Sequence, residues 1–122
     1  MKREIRITVG ELEVKARLNE TETANKVLEA LPITSKVNTW GDEIYFPIPV
    51  EAGPEDAKEV VSLGDIAYWP PGKAMCIFFG KTPISKGDEI RPASPVNVIG
   101  RIEGDYKSFK KVKDGQEIII RR

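Results

Sequence analysis

Residues 3–18 read REIRITVGELEVKARL, and their alternation decides the class of fold. Ile5, Ile7 and Val9 alternate with Arg6 and Thr8; Leu12, Val14, Ala16 and Leu18 alternate with Glu13, Lys15 and Arg17. A period of two on both arms predicts two strands, each with one apolar and one wet face. Gly10-Glu11 between them suits a tight hairpin connection.

Working outward, the next segment switches period. Ala24, Val27, Leu28 and Leu31 fall on one helical face, Thr21 or Thr23 can cap it, and Pro32 ends it. A lone short helix among strands is expected to plug or cover a barrel opening. Beyond Ile33 the strand pattern returns: Lys36–Trp40 and Glu43–Pro49 flank the turn Gly41-Asp42. Pro47 and Pro49 cannot donate to a ladder, which puts that strand's end at an edge or bulge. Residues 51–58 read as a polar excursion, after which Val60 and Val61 re-enter and Ile66–Trp69 forms a strand. Pro70-Pro71-Gly72 breaks the chain, and Ala74–Phe79 is the apolar run of a strand buried on both faces. Gly80–Ser94 is a long loop of the kind that is often functional. Val96–Ile102 is a further strand, and Tyr106, Phe109 and Val112 are spaced for a helical turn or two. The last strand, Gln116–Arg121, would blunt a sheet edge with Arg121 and Arg122. Seven or eight short strands with one helix make a mainly β protein, a closed or nearly closed barrel. The 122 residues are read as one domain, 1–122.

Composition narrows the chemistry. Nineteen basic and nineteen acidic side chains cancel, so the basic stripe of a nucleic-acid binder is missing. No apolar run approaches the ~20 residues that span a bilayer, and Met1 leads straight into the first strand without a signal peptide. Cys76 stands alone, excluding an internal disulfide and pointing to the cytoplasm. Histidine is absent, which removes the commonest general base and imidazole metal ligands. No cofactor or metal site is expected. High charge content with a single glutamine is a thermophile-like composition.

Three blocks carry a resemblance: VNTWGDEIYF (37–46), GDIAYWPPGKAMCIFFGKTP (64–83) and PASPVNVIG (92–100). Together they resemble a family of small prokaryotic proteins with a cyclophilin-like fold and no assigned activity. The resemblance covers nearly the whole chain and implies a closed eight-stranded barrel. Ile77-Phe78-Phe79 is similar to the "QFF" strand of the prolyl cis/trans isomerases called cyclophilins, which implies a proline-pocket role for Phe79. Val98–Ile102 followed by Glu103-Gly104 is similar to their later "VFGKV-EG" strand. The catalytic arginine of the isomerases has no counterpart in the 37–46 block, Ile77 replaces their glutamine, and Val96 falls near their histidine. Lys73, Lys81 or Arg91 would have to replace that arginine.

The candidate ligand-binding residues are Asn38, Trp40, Glu43, Tyr45, Trp69, Met75 and Phe79. Trp40, Tyr45 and Trp69 offer apolar walls, and Asn38 and Glu43 offer polar handles. Tyr45 and Phe46 must point to opposite faces, whereas Met75, Ile77 and Phe79 share one and Cys76 faces away. Each also has a plain packing role, core for Met75 and Phe79, a stiff corner for Trp69. Asp42, Asp65 and Asp88 each follow a glycine in a turn, which explains them without a glycosidase-type carboxylate pair. The expected function is a non-catalytic binding domain for a small molecule or an extended, proline-containing peptide. The alternative is a weak or atypical prolyl isomerase. Oligomeric state is not legible.

Overall fold

The computed structural model describes residues 3–122. Its strands are β1 (Glu4–Val9), β2 (Leu12–Leu18), β3 (Ile33–Lys36), β4 (Asn38–Thr39), β5 (Glu43–Pro47), β6 (Asp65–Trp69), β7 (Ala74–Phe78), β8 (Asn97–Glu103) and β9 (Glu117–Arg121). They form one antiparallel sheet in the order β3-β9-β1-β2-β8-β6-β7-β5-β4. The sheet's two end members, β3 and β4, are successive pieces of one extended run interrupted only at Val37. That bend is tied down on both sides: Val37 N donates to Gln116 O at 2.9 Å, and Gly115 N donates to Val37 O at 2.8 Å. Counted as one bent strand, β3 and β4 reduce nine strands to the expected eight and bring the sheet round on itself. The barrel is nearly closed. At the seam, Ser35 Oγ donates to Pro47 O at 2.7 Å in place of a full ladder.

The helix α1 (Glu22–Ala30) is capped by Thr21, whose Oγ1 accepts from Ala24 N at 3.2 Å, so Thr21 rather than Thr23 is the cap. Ala24, Val27 and Leu28 bury against the barrel core. A second, unforeseen partner serves the same helix end. The Glu55 carboxylate accepts from Glu22 N, Thr23 N and Thr23 Oγ1 at 3.0, 2.9 and 2.6 Å. Buried Asn97 links the two segments, accepting from Glu55 N at 2.8 Å and donating to Gly53 O and Thr23 Oγ1 at 2.9 and 3.2 Å. The helical turn near the C-terminus is a 3-10 helix, Tyr106–Lys111.

One expectation changes. β9 is flanked by β1 and β3, so Arg121 blunts no edge; it pairs instead with Glu13 at 2.9 Å. Val61 re-enters the fold, buried and bridged to Ile90, whereas Val60 stays exposed.

Apolar side chains gather on both sides of the sheet. Ile44, Phe46, Ile66, Tyr68, Met75, Ile77 and Phe79 turn inward with Ile5, Ile7, Ile118 and Ile120 to fill the barrel. Ala67, Cys76 and Phe78 turn outward and are covered by Val61, Ile90 and Val96. β7 is therefore buried along its whole length, the reason its sequence shows no alternation.

Candidate functional site

The outer cluster is not completely covered. Where β5, β6 and β7 meet the 80–96 loop, a cleft of about 230 Å³ remains, lined by Trp40, Glu43, Tyr45, Trp69, Cys76, Pro92, Ala93 and Val96. That space corresponds to roughly eight water molecules at ~30 Å³ each. It suits one small ring or one side chain, below the ~300–1,000 Å³ usual for drug-sized ligands.

Local sequence explains how each wall is set. Gly41-Asp42 closes a two-residue turn, so Trp40 and Glu43 face each other and exchange backbone bonds of 2.9 and 3.2 Å. Gly41 adopts φ +62° there, open to glycine without steric cost. The turn is anchored by Asp42 N donating to Lys81 O and Phe79 N donating to Asp42 O, both at 2.9 Å. Tyr45 stands two residues beyond Glu43 on the same face. Its ring meets Trp69 edge to face, with centroids 6.4 Å apart.

Trp69 is fixed on two sides. Its indole Nε1 donates to Ser94 Oγ at 2.6 Å, which ties the shelf to the long loop. Its ring lies over Gly72, where an added Cβ would sit 2.6 Å from ring carbons, so the glycine makes room for the indole. The loop itself is clipped: Ser85 Oγ accepts from Thr82 N at 3.0 Å and Arg91 N at 3.1 Å, and Thr82 Oγ1 donates to Arg91 O. Val96 and Lys58 exchange backbone bonds of 3.0 and 2.8 Å, holding the loop's end against the cleft.

Glu43 is the unusual member. It is only 5% exposed, and its Oε1 has no hydrogen-bond partner. Burial pushes its pKa from the ordinary 4.5 up to about 7, and the neighbouring Cys76 thiol pulls it part of the way back. The Cys76 thiol is itself driven well upward by burial and by the Glu43 charge, leaving it a neutral, inert S–H. Among the described residues, no Lys or Arg lines the cleft.

Of the seven expected residues, the cleft collects Trp40, Glu43, Tyr45 and Trp69. Asn38 stands beside it, its Nδ2 donating to Tyr45 O at 3.5 Å. Met75 and Phe79 lie on the opposite face of the sheet, inside the barrel. Phe79 stacks there on Phe109 at a centroid distance of 6.1 Å, so the position similar to the proline pocket is filled by the protein's own ring. Parity along β7 placed Met75 and Phe79 together and Cys76 opposite, and the cleft lies on the Cys76 side. Pro92, Ala93 and Val96 were not anticipated; only the length of the 80–94 loop hinted at a wall. Lys73 pairs with Glu51 at 3.4 Å and Arg91 with Glu89 at 2.5 Å, and neither lines the cleft.

Comparison with known proteins adds a family and two structures. The cyclophilin-like family model matches residues 3–121. The solution structure of a hypothetical protein from Archaeoglobus fulgidus is 50% identical, covering 99% of this chain and 95% of that one, with a TM-score of 0.84. The structure of McbB in complex with tryptophan superposes with a TM-score of 0.73 at 16% identity, over 97% of this chain and 44% of McbB. Curated proteins give no match.

Proposed function

The chain belongs to the cyclophilin-like family, and from that premise we propose that it is a non-catalytic binding domain whose ligand occupies the aromatic cleft. One observation carries this reading. Trp40, Tyr45 and Trp69 are half-buried around a preformed cavity with a single buried polar group, Glu43, among them. A few oriented polar atoms within aromatic walls are the usual make-up of a small-molecule site. The volume favours a single-ring molecule, or one side chain of an extended peptide laid across the cleft. McbB contributes the fold only, although tryptophan belongs in any first ligand screen.

The test is a titration of nitrogen-labelled protein with ring-bearing metabolites and an Ala-Pro peptide, following the two tryptophan indole signals and the backbone amides. Shifts should cluster on Trp40, Tyr45, Trp69 and the 92–96 segment, with no exchange between peptide cis and trans forms. Saturating ligands that leave both indoles unmoved would end the proposal. Catalysed cis–trans exchange would replace it with isomerase activity.

A further inference from the structure

We propose that the cleft selects a small organic ammonium ion, anchored by Glu43 and surrounded by Trp40, Tyr45 and Trp69. The inference rests on the cleft being a binding site and adds the chemical class of its ligand.

The starting point is the open hydrogen-bonding capacity of Glu43. A buried carboxyl oxygen without a partner is costly, and native proteins rarely leave one unmet. Oε1 is in that state, although Glu43 is nine-tenths buried and lines the cleft. The fold offers it no donor of its own. Cys76 supplies only a weak S–H, and the loop wall contributes Pro92, Ala93 and Val96. A donor therefore has to come from the ligand.

The walls decide what kind of donor. Three aromatic rings present π-faces or edges to one small volume, and ring faces attract cations most strongly where water is excluded. A carboxylate beneath such rings adds full charge complementarity and accepts the N–H of an ammonium. An anionic ligand would meet Glu43 with no cation lining the cleft to offset it. A quaternary ammonium would satisfy the rings but leave Oε1 unpartnered, so primary or secondary ammonium fits best.

The charged surroundings support the choice. Beside Glu43 in the cleft are Tyr45 from its own strand and Cys76 from β7, whose thiol burial and the Glu43 charge keep protonated. Asp42, next in sequence, has Lys110 at 3.9 Å. Lys81 contributes its backbone carbonyl to the turn and keeps an exposed side chain. Free Glu43 is poised between its acid and its anion near neutrality. An ammonium favours the anion, so binding at pH 6 releases a proton.

The experiment compares benzylammonium, benzyl alcohol and benzoate, three probes of one shape and different charge, by indole shifts and calorimetry. N-acetyl-lysine methylamide tests the same chemistry presented by a peptide. At pH 8 at least one of the two ammonium probes should bind about tenfold or more tighter than the alcohol, the least that a desolvated cation–π contact plus a charged hydrogen bond should give. In wild-type protein its affinity should fall at least about tenfold between pH 8 and pH 5, because the competent anion becomes a minor species. In Glu43→Gln the preference over the alcohol should collapse to within about twofold, since the isostere keeps shape and loses charge. The wild-type pH series stands even if the variant folds poorly. Equal binding of alcohol and ammonium, or a flat pH profile, overturns the proposal while leaving the cleft a binding site. Silence of both indoles with every probe overturns both readings.

Discussion

Glu43 is the residue at which the sequence reveals least and the structure most. In the chain it is one of nineteen acidic side chains, following a turn that accounts for its neighbour Asp42. Nothing local shows that its carboxyl is buried, because burial comes from Cys76 on β7 and from a loop fifty residues later. Its raised pKa has a definite sign for stability. The fold favours the protonated acid, so this contribution is complete below about pH 4.5, declines as pH rises through 7, and is gone above it. Glu43→Gln removes the ionisation and should match wild type near pH 4. At pH 8 it should exceed wild type by up to roughly 3 kcal/mol, at about 1.4 kcal/mol per pH unit. Urea denaturation of both proteins at the two pH values checks this, and a constant difference would show that Glu43 is not desolvated. Tyr45 and Phe46 show what one residue can reveal in advance. Their opposite orientation was legible from strand geometry, and one faces the cleft while the other fills the barrel.

At the scale of elements, the strands were legible and their long-range fastenings were not. Alternation in 3–18 is a local signal, and β1 and β2 pair in the register it implies, Ile7 opposite Val14. The excursion 51–58 looked merely polar, yet its Glu55 carboxylate caps α1 from more than thirty residues away, held in place by Asn97 at its backbone N. No spacing rule encodes such a bond, since side-chain capping is read from sequence only when the partners are close. The elements differ correspondingly in what their loss should cost. Thr21→Ala removes one helix cap and should cost about 1 kcal/mol. Asn97→Ala strands Glu55 N and Gly53 O and takes from Thr23 Oγ1 one of its two partners, Glu55 remaining, and should cost about 2–3 kcal/mol, the scale of orphaned polar groups away from water. Chemical denaturation gives the order, and an Asn97→Ala as mild as Thr21→Ala would mean that water takes over its bonds. The Glu55 carboxylate is held below its ordinary pKa by Thr23 and the helix end. Its support for α1 therefore stands above the usual carboxylate range and weakens as the solution is acidified.

For the whole molecule, the closed or nearly closed barrel was legible from strand count and turn residues, and the way in which it closes was not. The bend at Val37 joins the two sheet ends within one extended run, whereas the sequence reading placed a strand only over Lys36–Trp40 and gave no sign of the bend. The side of β7 on which a cleft opens was likewise hidden, because a strand buried on both faces has no polar marker to tell them apart. No helix among the described residues is long and apolar enough to cross a membrane.

Because β5, β6 and β7 divide their side chains between the barrel and the cleft, position parity separates two kinds of evolutionary constraint. Residues 44, 46, 66, 68, 75 and 77 answer to packing, whereas 43, 45, 69 and 76 face the outer cluster or the cleft. Phe46→Ala should cost about 3–5 kcal/mol, as for a fully buried aromatic. Substitutions at Glu43, Tyr45 or Trp69 should be tolerated far better by the fold while changing what the cleft accepts. A library randomised at those three positions and sorted for folding alone should retain broad diversity, and a narrow surviving set would show that one wall serves both tasks. If diversity survives, this wall is a place where lineages can exchange one ligand for another without ever passing through an unfolded ancestor.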